Sequence, residues 1–122
     1  MTRTRIFTGF VLAGAALGWQ EHSHSAPGKP LQITGQVIEV ACFMGHNTSG
    51  ADHAKCAETC ARAGNPLAIF DGKQIYLPVS MDHKNPNEKL MGFIEKKVRV
   101  TGSVIDKAGL KGIAISKVEA AK

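Results

Sequence analysis

Three cysteines and two histidines crowd into a single stretch of this 122-residue chain: Cys42-Phe-Met-Gly-His46-Asn-Thr-Ser-Gly-Ala-Asp-His53-Ala-Lys-Cys56-Ala-Glu-Thr-Cys60. Thiolate sulfur and imidazole nitrogen are the donors that hold zinc tetrahedrally. His53, Cys56 and Cys60 stand at i, i+3 and i+7, which is one stripe of an α-helix at 3.6 residues per turn. A strand ends at Cys42, and the loop after it is long enough to fold that thiol back over the helix. The expected metal ligands are therefore Cys42, His53, Cys56 and Cys60. Three sulfurs and one imidazole form the donor set of a closed structural zinc site, with metal–sulfur bonds of ~2.3 Å and metal–nitrogen bonds of ~2.0 Å.

The same residues allow a second chemistry. An oxidising compartment pairs thiols, and Cys42 could bond to Cys56 or Cys60 and pin the insertion to the sheet. A bond between Cys56 and Cys60 fits poorly, because i,i+4 Cβ atoms stand ~5–6 Å apart in a helix and a disulfide wants ~3.8 Å. A disulfide therefore consumes Cys42 and leaves one thiol over. The odd count beside a histidine on the same stripe favours a metal. Zinc is the expected ion, with copper as the alternative, since Met44 near Cys42 is a soft donor of the kind that selects Cu(I). The plainer reading of Met44 packs it with Phe43 over the mouth of the sheet. His46 is a spare ligand candidate in a Gly/Asn/Ser loop, where a histidine is more often exposed. Met81-Asp82-His83 reads as an ordinary turn with no ligand partner close in sequence. There is no Cys-x-x-Cys-His for haem attachment, no Cys-x-x-Cys redox pair and no nucleophile–base–acid series, so a binding module is expected rather than an enzyme.

The elements around the cluster follow from periodicity. Leu31 to Ala41 is β-branched with Gly35 inside it, the mark of a bend in a strand. Leu67–Phe70 and Gln74–Val79 flank Asp71-Gly72-Lys73, a hairpin signal, and Ile75, Leu77 and Val79 alternate as one buried face would. Val98, Val100, Gly102 and Val104 share a face of a strand over Lys97–Ile105. A turn through 107–112 leads into a last strand, Ile113–Val118. One helix is expected from Ala51 to Ala63, with Ser49-x-x-Asp52 as a capping box and Gly64 as its C′ residue before Asn65-Pro66. A second is expected after Asn85-Pro86, presenting Leu90, Met91, Phe93 and Ile94. The predicted fold class is mainly β: a five-stranded barrel like the oligonucleotide/oligosaccharide-binding (OB) fold, with the Cys/His helix inserted between strands 1 and 2 and the second helix between strands 3 and 4. A small open sandwich is the competing architecture.

The N-terminus sets the context. Arg3 and Arg5 precede an uncharged apolar stretch from Ile6 to Gly18, the pattern of a secretory signal peptide over residues 1–18. The stretch is short for a membrane span, which needs ~20 residues. Residues 19–30 read as a flexible leader carrying His22 and His24, and residues 31–122 as the metal-binding domain. The expected location is periplasmic or secreted, with no membrane contact in the mature form. The formal charge is +5; without Arg3 and Arg5, thirteen Lys/Arg face ten Asp/Glu, a net +3. No basic stripe interleaves with aromatics, so no nucleic-acid partner is expected. The alternative function is a disulfide-stabilised OB-like module that binds an oligosaccharide, a peptide or a protein. One Tyr, one Trp and five Phe, with Phe7 and Phe10 in the signal segment, are thin material for a stacking platform.

These pieces together resemble a group of small exported bacterial proteins: Gly35-Gln-Val37 in a strand, Cys42 at its end, His53-x-x-Cys56-x-x-x-Cys60, then Gly64-Asn-Pro66. The resemblance spans about residues 31 to 120. It implies an OB-like barrel and a role for the Cys/His residues, and no particular reaction.

Overall fold

The computed structural model describes residues 30–122. The expected signal segment, and all of the leader except Pro30, lie outside the described residues. Five strands, β1 (Leu31–Glu39), β2 (Leu67–Phe70), β3 (Ile75–Pro78), β4 (Lys97–Lys107) and β5 (Leu110–Ala120), form one mixed sheet. The sheet closes in a ring in the order β1-β2-β3-β5-β4 and back to β1. Only β3 and β5 run parallel, with Leu77 opposite Gly112.

Closure depends on β1 changing partners along its length. Leu31 to Gln36 pairs with β4, and Gln36 to Glu39 pairs with β2. The change falls beside Gly35, where an added Cβ would lie 2.6 Å from the carbonyl oxygen of Phe70. The bend expected from this glycine is the corner of the ring, and any side chain there collides with backbone. Val37, Leu67, Ile69, Val98, Val100 and Ile113 fill the interior with no exposed surface. Leu90 is likewise fully buried and Ile94 nearly so. Complete burial of a residue such as Leu90 contributes about 1.5–3 kcal/mol.

Two α-helices, α1 (Val40–His46) and α2 (Ala54–Arg62), lie between β1 and β2, with a single 3-10 turn, Ala51–His53, leading into α2. No helix among the described residues is long and apolar enough to cross a membrane. α2 packs on the core through Ala57 and Ala61, whose small side chains let it sit close to the sheet.

Several expectations are corrected. The first strand stops at Glu39, so Cys42 is not a strand-end residue; it belongs to α1. The helix expected after Asn85 is instead two 3-10 turns, Pro86–Lys89 and Met91–Phe93. Asn85 does cap it, its side chain accepting from the Asn87 N–H. Pro86, Asn87 and Gly92 leave too short a run of helix formers to propagate an α-helix. In β3 the inward residue is Tyr76, which packs on the core, while Val79 is 37% exposed. Tyr76 lies opposite Ile69 in the hairpin, and opposite residues share a face. The β4–β5 strands run longer than expected, joined by a two-residue turn at Ala108 (φ 52) and Gly109 (φ 80), the backbone of a type I′ hairpin.

Candidate metal centre

The site begins where β1 becomes a helix. Glu39 has extended backbone (φ −90, ψ 123) and serves as N-cap of α1. Its carboxylate accepts from the N–H of Ala41 at 3.0 Å and of Cys42 at 2.7 Å. Those bonds satisfy amides that have no partner inside the helix, and they turn Cys42 inward from the first turn. Glu39 is 1% exposed and Cys42 is 9% exposed. Asn47, in the left-handed region at φ 49, ends the helix.

The second wall is α2. The capping box expected from Ser49 does not form: Gly50 is the residue ahead of the 3-10 turn, and no side chain caps it. At the other end Gly64 (φ 106) behaves as expected. Its N–H donates to the carbonyl of Ala61, and the Asn65 N–H donates to the carbonyl of Cys60. That pair of bonds is the Schellman ending, which reverses the chain after one short helix. Asn87, 4% exposed, then holds the exit: its Oδ1 accepts from the Leu67 N–H at 2.9 Å and its Nδ2 donates to Asn65 O at 2.8 Å. The stripe His53, Cys56, Cys60 is thereby set facing α1.

The ligand atoms of Cys42, His53 and Cys56 all lie within 4.8 Å of one another, and so do those of Glu39, Cys42 and Cys60. The two triads share Cys42, and no group among the described residues holds Cys60 together with His53 or Cys56. These Cys/His groups are placed where they can hold a metal ion. Cys60 is half-buried and Cys56 exposed, so one edge of the cluster meets solvent. In this structure the three cysteines are free thiols.

Glu39 dominates the local electrostatics. Burial opposes its ionisation, but hydrogen bonds from the Cys42 thiol and from the N–H groups of Cys42 and Ala41 overcome this and hold its carboxyl below the usual range. In return, the bond to Glu39, then burial, then the charge of Glu39 and the neighbouring Cys60 push the Cys42 thiol up to about 12. Without a cation, Cys42 is a protonated thiol donating to Glu39. A cation bound at this sulfur would have to displace that proton.

Sequence reasoning missed Glu95. Its side chain is 1% exposed, and Oε1 lies 3.1 Å from Nδ1 of His53, itself 10% exposed. Oε2 accepts from Gln36 Nε2 at 2.7 Å and from the Gly50 N–H at 2.8 Å. Glu95 sits at φ 58, and its own N–H donates to Val37 O, so it leaves the 3-10 segment pressed against β1. A carboxylate oxygen accepts, so Nδ1 of His53 is the donor, and in the neutral ring the lone pair is then on Nε2. That is the tautomer in which a histidine ligates a metal through Nε2 with a carboxylate behind it. Nothing in the linear sequence marks Glu95, which stands in the charged run Glu95-Lys96-Lys97 and reads as solvated surface. Glu39 carried a weak signal: an acid three residues ahead of a cysteine at a strand end.

The remaining candidates stay outside. His46 is exposed at the end of α1, and no metal group among the described residues includes it. Met44 is 68% exposed and does not pack as expected; Phe43 instead meets Phe70, with ring centroids 4.9 Å apart. Met81, Asp82 and His83 form an exposed turn in which Asp82 accepts from Ser80 and Lys84. On the outer face of α2, Arg62 pairs with Glu58.

Fold and site together define a small closed β-sheet bearing a thiol–imidazole cluster on a helical insertion. No family model, curated protein or solved structure matches the chain.

Proposed function

We propose that this chain is an exported metal-binding module, not an enzyme, and that its ion is zinc held by Cys42, His53, Cys56 and Cys60. The observation that carries the reading is the mutual approach of the Cys42, His53 and Cys56 ligand atoms to within 4.8 Å. Bonds of ~2.0–2.3 Å at tetrahedral angles put ligand atoms ~3.3–3.8 Å apart. About 1 Å of closure by side-chain rotation therefore suffices. Cys60 is grouped with Cys42 and Glu39 rather than with His53 and Cys56, so its sulfur must move further to serve as the fourth ligand.

The donor set supports zinc over copper. Met44, the thioether that would favour Cu(I), stands two residues from Cys42 on α1, and i,i+2 side chains leave a helix on different faces. The order of three strands, a helical segment and two strands supports an OB-type architecture, in which the connection between strands 1 and 2 lies at the binding face. The basic-then-apolar segment through Gly18 supports export to the periplasm or beyond. A resident zinc would add folding free energy to a core of about ninety residues; free zinc 1,000-fold above Kd stabilises the fold by about 4 kcal/mol.

Anaerobic purification followed by elemental analysis and thiol counting tests the reading. The expected result is one zinc per chain, lost in Cys42→Ser. A protein with no stoichiometric metal and two fewer free thiols than cysteines would refute it in favour of a disulfide-stapled module.

A further inference from the structure

The cluster is not symmetric. Cys42 belongs to both triads, one with His53 and Cys56 and the other with Glu39 and Cys60. Its sulfur therefore lies within 4.8 Å of two other sulfurs at once. On one side the Cys42 thiol bonds to Glu39, and on the other it is hydrogen-bonded with Cys60. Cys60 is half-buried, while Cys42 is only 9% exposed. That is the layout of a more accessible thiol with a resolving thiol beside it.

We propose that Cys42 and Cys60 are a redox-active dithiol, oxidised by low-molecular-weight disulfides, and that their bond and the bound ion exclude each other. The exclusion rests on the metal reading above; the pairing stands on geometry alone. The reaction proceeds in two exchanges. The Cys60 sulfur attacks one sulfur of the external disulfide, forming a mixed disulfide and expelling one thiol. The Cys42 sulfur then attacks Cys60 and expels the second thiolate, and the Cys42 proton ends on that leaving thiol by way of solvent. In sum, two cysteine thiols and one external disulfide become one protein disulfide and two external thiols. The sulfurs must close from within 4.8 Å to ~2.05 Å, a movement that side-chain rotation from two facing helices supplies. Cys56 lies within the same 4.8 Å of Cys42, but it is Cys60 that is hydrogen-bonded with it. Once Cys42 is consumed, only His53 and Cys56 remain as donors. Two donors do not make a closed zinc site.

Titration of the reduced, zinc-loaded full chain with oxidised glutathione tests this, with zinc release read by a chromogenic chelator and the disulfide mapped by peptide mass spectrometry. The expected result is zinc release in step with loss of two thiols, the bond mapping to Cys42–Cys60. Metal-free reduced protein should form the same bond at least tenfold faster than the zinc-loaded form. Cys60→Ser should show neither the intramolecular bond nor thiol-coupled release. A bond mapping to Cys42–Cys56, the absence of any intramolecular bond, or retention of zinc in the oxidised protein overturns the proposal. The two readings fail separately. Reduced protein that binds no zinc but forms Cys42–Cys60 ends the metal reading and the exclusion, and keeps the dithiol. Zinc binding without that bond ends the dithiol and keeps the metal.

Discussion

Glu95 is the residue on which the chemistry of His53 turns, and Glu95→Gln isolates its role. The replacement keeps volume and burial. The amide oxygen can still accept from Gln36 and Gly50, which meet Oε2 at 2.7 and 2.8 Å. The amide nitrogen then takes the place of Oε1, 3.1 Å from Nδ1 of His53. An N–H₂ group donates, so Nδ1 must accept and the ring proton moves to Nε2. The nitrogen that would face the ion is then protonated. Loss of such a carboxylate partner costs 10–100-fold in metal affinity, about 1.4–2.8 kcal/mol. Competition with a chromogenic chelator measures the zinc affinity, and nitrogen chemical shifts of the imidazole report the tautomer independently of stability. Glu95→Ala should behave differently. It strands the Gly50 N–H and the His53 Nδ1–H in a buried site, at about 1–3 kcal/mol for each orphaned donor, and lowers the urea midpoint as well as the affinity. If Glu95→Gln binds zinc as tightly as the parent and His53 keeps its proton on Nδ1, the orienting role is wrong.

Other outcomes follow from the same geometry. Gly35→Ala forces a Cβ to 2.6 Å from Phe70 O and 2.8 Å from Ile69 at the corner of the ring, and should destabilise by about 1–3 kcal/mol or abolish folding, as read by urea denaturation. Asn87→Ala leaves the buried Leu67 N–H without its acceptor and frees the exit of α2; about 2 kcal/mol is expected in the same assay, with a weaker zinc site because the helix is no longer anchored. Acid should destabilise the fold through its turns. The N–H groups of Gln74 and Lys73 hold Asp71 below its ordinary 3.8, and Ser80 and Lys84 hold Asp82 at about 2. Both carboxyls are depressed on folding, so their contribution is full above pH 3.8 and is lost as the pH falls towards 2. Asp71→Asn should flatten that part of the urea-midpoint profile, and an unchanged slope would remove Asp71 from the account.

Much of the framework was legible because it is local. Asp71-Gly72 makes the hairpin by capping its own amides, with Asp71 Oδ1 accepting from Lys73 and Gln74. Gly64-Asn65-Pro66 ends α2 through bonds that span only a few residues. The inward alternation of Val98, Val100 and Val104 places one face of β4 in the core, and Gly35 bends β1 where it must. Residue type and helical spacing also pointed to the Cys42, His53 and Cys56 grouping, with His53, Cys56 and Cys60 read onto one stripe.

Features that depend on the ring being closed could not be read this way. Which face of β3 is buried follows from Tyr76 lying opposite Ile69, a matter of register between strands rather than of alternation within one. The switch from strand to helix at Glu39 hides inside a β-branched run, because a buried carboxylate overrides propensity by capping Ala41 and Cys42. Glu95 meets His53 across 42 residues, and only the closing of β4 against β1 brings it there. Sequence by itself determined which residues are candidate donors and roughly where the chain turns, since donor chemistry and short-range hydrogen bonds are properties of neighbouring residues. The tertiary structure alone decided which thiol stands at the centre and which carboxylate orients the imidazole, because distance and burial between remote residues exist only once the sheet has closed.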